Sequence, residues 1–315
     1  MWKSMQTAQP NVVIFSARGR DSVPENLQSA IEAVADVHYV TNLSPLPDAQ
    51  LISICKGADY IGLTRRTCRN VHADLIGQLP GLRGLSVYAT GTEWLDLHAL
   101  KRQGIALRHL VDYSAQTVAE HAIGMLLGLS RRLHLSDRVA LGQIADSTSL
   151  RGWELQGKRI GIVGLGEIGM RIARLAEAFG MQVQYCDPAV DAPFPKADFN
   201  TLIEQSEVLM LAASVERSKP AIITAAQLRL MRQRVYIVNP SRPELVDSAA
   251  MLDAVGSGQV AGYAVDEKVY TSADLAGVEA GRILQTCHSG WYSNEAMERG
   301  TAAWIENLIG LIKHE

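Results

Sequence analysis

Apolar residues in the first third of the chain fall into short runs separated by longer amphipathic stretches. The runs at 12–15, 37–40, 60–63, 85–87 and 105–107 have the length and flanks of buried strands, while 27–34, 51–55, 71–76 and 94–100 read as helices. Strand and helix in alternation predict a parallel sheet covered by helices. Asp112-Tyr-Ser-Ala-Gln-Thr117 then leads into a long helix over 118–135, apolar on much of its surface through Ala119, Ala122, Ile123, Met125, Leu126, Leu127 and Leu129. It reads as a hinge helix that also packs on a second copy of the chain, making a homodimer; complete burial within one copy is the other reading. Further strands at 160–163, 183–186, 207–211, 235–238, 260–265 and 283–286 alternate with helices, as in a doubly wound sheet whose ligand lies at the carboxyl ends of its strands. A last helix, 294–312, folds back on the first lobe. The expected fold is α/β, with two Rossmann-like lobes on parallel sheets. One lobe, 112–289, is inserted into a discontinuous lobe made of 1–111 and 290–315.

Composition narrows the class of function. Of 315 residues 47% are hydrophobic and 20% charged, and the net charge of −3 gives no reason to expect nucleic acid or membrane as a partner. The first ten residues lack the apolar core of a signal peptide and no apolar run is long enough to span a bilayer, so a cytoplasmic location is expected. Cys55, Cys68, Cys186 and Cys287 are scattered without metal-type spacing; free thiols and no metal are expected.

The strand at 160–163 runs directly into Gly164-Leu-Gly-Glu-Ile-Gly169 and then into a helix with apolar Ile168, Ile172, Leu175 and Phe179. In such a turn Gly164 permits the tight bend, Gly166 lets the backbone approach a pyrophosphate, and Gly169 lets the helix pack close to its strand. The next strand ends in Asp187, where a carboxylate can accept hydrogen bonds from a ribose 2′-hydroxyl and repel a 2′-phosphate. The cofactor implied is NAD rather than NADP.

Two other strand ends carry groups suited to reducing a 2-oxo acid. Arg242 follows the strand at 235–238 and offers a planar fork for a carboxylate and its neighbouring carbonyl. His288 follows the strand at 283–286 and can give a proton to a developing alkoxide.

Over most of its length the chain resembles the D-isomer-specific 2-hydroxyacid dehydrogenases. The resemblance lies in Thr117-Val-Ala-Glu-His-Ala, the glycine turn, Asp187-Pro, Asn239-Pro-Ser-Arg-Pro-Glu-Leu-Val-Asp247, Ala261-Gly-Tyr-Ala-Val-Asp266 and His288. It implies an NAD-dependent oxidoreductase that exchanges hydride with C2 of a small 2-oxo or 2-hydroxy acid, with a substrate lobe and an NAD lobe. It further implies that Arg242 binds substrate, that His288 is the acid/base and that Asp266 lies near the nicotinamide carboxamide. Cofactor contacts are implied for Thr117, Glu167, Ile168, Pro240 and Ser241. Substrate-facing loops are implied at Arg66, with Arg65 beside it, and at Thr90 and Gly91. The stretch from His288 to Ala296 is also similar to the C-terminal-binding protein corepressors, in which a tryptophan in the position of Trp291 faces the pocket.

Some positions depart from the family pattern. The glutamate that holds the catalytic histidine is replaced by Thr271, and Glu267, next to Asp266, is expected to point away along an extended chain. His288 is therefore expected to lack a charged group behind its ring. Pro243 stands in place of a glycine after Arg242, and Cys287 in place of a proline before His288. The alternative function on these grounds is an NAD-binding scaffold or sensor with impaired catalysis.

Overall fold

The computed structural model describes residues 9–215 and 219–314. Residues 1–8, most of the segment from which the absence of a signal peptide is read, lie outside them. No helix among the described residues is long and apolar enough to cross a membrane.

The chain forms two compact units, one from the residues up to Tyr113 together with those from Asn294 onward, the other Ser114–Ser293. The first unit holds β1 (Asn11–Ser16), β2 (Asp36–Thr41), β3 (Tyr60–Leu63), β4 (Gly84–Val87) and β5 (Ala106–His109), with helices α1 (Glu25–Glu32), α2 (Asp48–Ile54), α3 (Ala73–Gly77) and α4 (Leu97–Arg102) between them. All its strand pairs are parallel, in the order β2-β1-β3-β4-β5. The second unit begins with α5 (Ala115–Arg131) and α6 (Leu133–Ala140). It continues through β6 (Arg159–Val163), α7 (Glu167–Ala178), β7 (Gln182–Cys186), α8 (Phe199–Gln205), β8 (Val208–Leu211), α9 (Ala225–Leu230), β9 (Val235–Asn239), α10 (Ser248–Ser257), β10 (Val260–Val265) and β11 (Ile283–Gln285). Its sheet, β11-β10-β9-β8-β6-β7, is also parallel throughout. The reversal of strand order beside β6 opens a crevice at the carboxyl ends, where such folds bind ligands.

Two features of the helices differ from the sequence-based expectation. The long helix over 118–135 breaks at Arg132, whose φ of 53° ends α5 and starts α6. Ala119, Ala122, Met125, Leu126 and Leu129 of α5 are buried within their own unit, so the apolar surface assigned to a second copy is already covered. In α7 the buried stripe runs through Gly169, Ile172, Ala173 and Ala176, whereas Phe179 is exposed. Small residues win this face because the helix lies against its own glycine turn.

The closing helix α11 (Asn294–Lys313) packs on the first sheet. The Trp304 indole N–H donates to the Ser86 carbonyl at 3.0 Å, and the Ser86 hydroxyl donates to the Trp304 carbonyl at 3.2 Å. Gly62 leaves room for that ring, since a Cβ there would lie 2.9 Å from Trp304 Cζ2. Truncating this buried tryptophan leaves a cavity and takes the indole donor from the Ser86 carbonyl. Trp304→Ala is expected to cost about 3–5 kcal/mol in urea unfolding of the first unit; a loss below about 1 kcal/mol would show that α11 adds little to it.

Candidate active site

Because the second sheet is parallel, the carboxyl ends of β6, β9, β10 and β11 lie along one edge, and they carry Gly164, Arg242, Asp266 and His288 respectively. The glycine turn is built as its mechanism requires. Gly164 has φ of 86°, and a Cβ there would lie 2.7 Å from the Ala213 backbone. A Cβ on Gly169 would run into the Gly164 carbonyl, which fixes the close approach of α7 to β6. Around Gly166 nothing lies within 4 Å of where a Cβ would be, and no side chain caps α7. Open space in front of an uncapped helix N-terminus fits the pyrophosphate of a dinucleotide. The Glu167 carboxylate turns along the helix to Arg171 at 2.6 Å, away from that opening, and Ile168 is half-buried behind it.

Asp187 also serves the turn itself. Its Oδ2 accepts from the Leu165 N–H at 2.8 Å, and its Oδ1 accepts from Ala189 and Val190 N–H groups at 2.8 and 3.1 Å. Burial pushes this carboxyl up, but the backbone donors outweigh it and hold it below the usual carboxylate range. The group is therefore ionised at neutral pH, with one lone pair of Oδ2 left for a ribose hydroxyl.

After β9 the fully buried Asn239 side chain fastens the next three residues. Its amide donates to the Arg242 carbonyl at 2.8 Å and its oxygen accepts from the Ser241 N–H at 3.1 Å, with Pro240 buried between. Arg242 is half-buried and extended, and its guanidinium reaches the Ser241 carbonyl at 3.1 Å. Pro243 opens a 3₁₀ turn, a position where a missing N–H costs nothing.

The segment after β11 is held by one carboxylate. Asp266, 6% exposed, accepts from the Thr286 hydroxyl at 2.6 Å, the Ser289 N–H at 2.9 Å and the Gly290 N–H at 2.7 Å. Burial pushes this acid up, and those donors together with His121 overcome that and hold it far below the usual range. His121 Nε2 lies 3.2 Å from Thr286 Oγ1 and 3.5 Å from Asp266 Oδ1. Gly290 has no alternative here, because a Cβ would meet both Asp266 and the His121 ring. Thr117, one turn before His121 on α5, pairs with Ser293 at 3.0 Å.

So anchored, His288 adopts φ of 53°, a left-handed conformation, and its Nδ1 lies 2.9 Å from Glu267 Oε2. This overturns the expectation that His288 lacks a charged partner. Strand alternation ends at Val265, and the chain bends at Asp266 and Glu267, so neighbouring residues both face the 286–290 segment. Thr271 has a different task, bonding Asp274 through its N–H and hydroxyl, each at 2.7 Å. Trp291 is half-buried and its indole N–H donates to the His288 carbonyl at 3.1 Å. Arg66, Thr90 and Gly91 belong to the first unit, after β3 and β4. There Arg66 and Thr90 are exposed, and Arg65 pairs with Glu93 at 3.3 Å.

Glu267 is named from the sequence but given the wrong direction, and two members of this network are given no role there: His121 and Thr286. The one signal for the last two is spacing, with His121 four residues after Thr117 on a helix face and Thr286 two before His288.

The depressed acidity of Asp266 has a consequence for stability. Its folded pKa lies below the value near ~3.9 of an unfolded aspartate. The stabilisation is thus complete above that value and is lost as pH falls through the lower folded one. Asp266→Asn is expected to lose about 2 kcal/mol at neutral pH and to flatten the acid limb of the stability curve. Urea unfolding of wild type and variant across the acid range measures both effects; parallel acid limbs would contradict them.

Comparison with known proteins agrees with this geometry. Residues 123–290 match the family model described as D-isomer specific 2-hydroxyacid dehydrogenase, NAD binding domain. The chain is 30% identical to a glycerate dehydrogenase of Methylorubrum extorquens, over 84% of this chain and 85% of that protein. It is 26% identical to a glyoxylate reductase of Thermofilum pendens, over 88% and 91% of the two. The solved structure of a glyoxylate reductase from Paecilomyes thermophila superposes with a TM-score of 0.84 at 22% identity, covering 97% of this chain and 96% of that one, which bears on the fold alone. More than half of the sequence lies under the family model, and by that measure the chain belongs to the D-isomer-specific 2-hydroxyacid dehydrogenases.

Proposed function

We propose that this NAD-dependent oxidoreductase reduces a small 2-oxo acid of the glyoxylate or hydroxypyruvate type, with Arg242 as the carboxylate anchor and His288 as the proton donor. The observation that carries the reading is the His288–Glu267 pair at 2.9 Å, standing on the same sheet edge as the glycine turn. The bound nicotinamide supplies the hydride. The Arg242 guanidinium grips the substrate carboxylate and draws electron density toward the carbonyl oxygen, so the carbon becomes a better acceptor. With Nδ1 engaged by Glu267, the Nε2 of His288 faces that oxygen and gives its proton as the alkoxide forms; in oxidation it takes the proton back. Glu267 fixes the ring orientation through its contact with Nδ1 at 2.9 Å. Asp266 holds the backbone beneath the ring, and His121 and Thr286 hold Asp266. The scaffold alternative rested on Thr271, and the glutamate it lacked is supplied from Glu267.

Cofactor contacts are assigned to Gly164, Gly166, Glu167, Ile168, Gly169, Asp187, Pro240, Ser241, Asp266 and Thr117. Substrate contacts are assigned to Arg66, Thr90, Gly91 and Trp291. We assign 1–111 with 290–315 as the substrate domain and 112–289 as the NAD domain. A homodimer and a cytoplasmic location complete the reading. The first is supported by exposed Leu133, Leu141 and Leu150 in one stretch beside α6, the second by four cysteines outside any disulfide.

Steady-state kinetics with NADH and glyoxylate tests the roles. His288→Ala is expected to lower kcat by about 10³-fold with little change in substrate KM. Glu267→Gln should lower kcat by about 10-fold to 100-fold while the protein still binds NADH. Turnover in either variant at the wild-type rate would overturn the assignment. Asp187→Ala should move the NADH over NADPH preference in kcat/KM by about tenfold or more toward NADPH, which is about 1.4 kcal/mol of discrimination; an unchanged ratio would remove Asp187 from the ribose.

A further inference from the structure

The far end of the second sheet carries a cavity that the reaction does not use. It has a volume of about 100 Å³ and lies where β9, β10 and β11 begin, beside the end of α5. Strands of five or six residues separate it from the glycine turn by roughly 15–20 Å. Its wall holds four guanidinium groups, from Arg132, Arg151, Arg234 and Arg282, and a single carboxylate, Glu279.

The charges do not balance. Glu279 is shared between Arg132 at 3.2 Å and Arg282 at 2.8 Å, and their guanidiniums hold its carboxyl below the usual range. Arg132 also donates to the Ser149 carbonyl at 2.8 Å, which fixes its direction. The guanidiniums of Arg151 and Arg234 form no hydrogen bond or ion pair among the described residues. Trp153, which lines the same cavity, has its indole N–H buried without a partner among the described residues. Two uncommitted forks and an unsatisfied donor around a space large enough for several water molecules form a site for an acceptor-rich anion.

The backbone is shaped to hold this arrangement. Arg132 and Arg234 have φ of 53° and 63°, left-handed values that cost an arginine roughly 1 kcal/mol each. Only Asp112 and His288 share that conformation among the described non-glycine residues. Gly152 lies so close to the Ser130 carbonyl that a Cβ would run into it, and the Trp153 N–H donates to that carbonyl at 2.9 Å. This contact fastens Arg151 and Trp153 to the end of α5. Gly281, with φ of 79°, lies as tightly against Leu135 and brings Arg282 to the rim.

We propose that this cavity binds a small multiply charged oxyanion, of the phosphate, phosphate-ester or polycarboxylate class, at a site separate from the cofactor and the substrate. The guanidinium forks of Arg151 and Arg234 grip its oxygens, and the Trp153 N–H donates the remaining bond.

Isothermal titration of the NADH-saturated protein tests this, because the cofactor then covers the glycine turn, and comparison with R151Q/R234Q separates the cavity from the carboxylate anchor Arg242. Inorganic phosphate, a sugar monophosphate and citrate are titrated separately at constant ionic strength held with chloride, and the anion that binds identifies the source. At least one is expected to bind with one-to-one stoichiometry. The double variant R151Q/R234Q is expected to weaken it about tenfold or more, while Arg151→Lys, which keeps the charge, retains most of the affinity. Unfolding midpoints without anion should be unchanged in both variants, since neither guanidinium has a partner to lose. The proposal is overturned if none of the three anions binds, or if wild type and R151Q/R234Q bind alike. It is equally overturned if the double variant changes the mass measured by light scattering, which would give the arginines to a contact between copies.

Discussion

A carboxylate removed from water must be surrounded by donors or lose its charge, and Asp266 meets that demand with a hydroxyl and two backbone N–H groups. Those N–H groups belong to the residues that follow His288. Satisfying the buried charge therefore dictates the path of the chain around the imidazole and fixes a left-handed backbone there. Glu267 then needs only to be the next residue along to reach the ring. The electrostatic solution at one residue sets the geometry of its neighbours.

Parallel topology does the rest of the gathering. Every strand of the second sheet but the last is followed by a crossover, so the segments after the strands gather at the same edge. The phosphate turn, the guanidinium and the imidazole come from segments separated by tens of residues. What holds each loop is local: the glycine packing of Gly164 and Gly169, the amide of Asn239 and the carboxylate of Asp266. Position is set by the sheet and orientation by one buried polar side chain per loop, which suits chemistry that depends on alignment.

Much of this was legible in the sequence because its signals are local. Short apolar runs became strands, and Gly164, Gly166 and Gly169 became a turn whose every Cβ vacancy has a use. The strand-end positions of Arg242 and His288 followed from the same periodicity. Glu267 was misread because side-chain alternation holds only while the chain stays extended, and the bend after Val265 is imposed by contacts with a segment twenty residues on. His121 was passed over because its partners, Asp266 and Thr286, are distant in sequence. The surface of α5 looked excessive because sequence patterning cannot count the neighbours on each face; α7 and the sheet cover it. Pro243, which departs from the family pattern, sits where its ring starts a 3₁₀ turn.

The reciprocal bonds between Ser86 and Trp304 link residues 218 apart in sequence. On the ribosome the strands of the first sheet emerge before the inserted unit, but the helix that covers them emerges only after it. The whole inserted unit is synthesised in between. The chain therefore completes its middle before its beginning, and until then one face of the first sheet lacks the helix that closes it, a period when nascent molecules depend on chaperones or on speed.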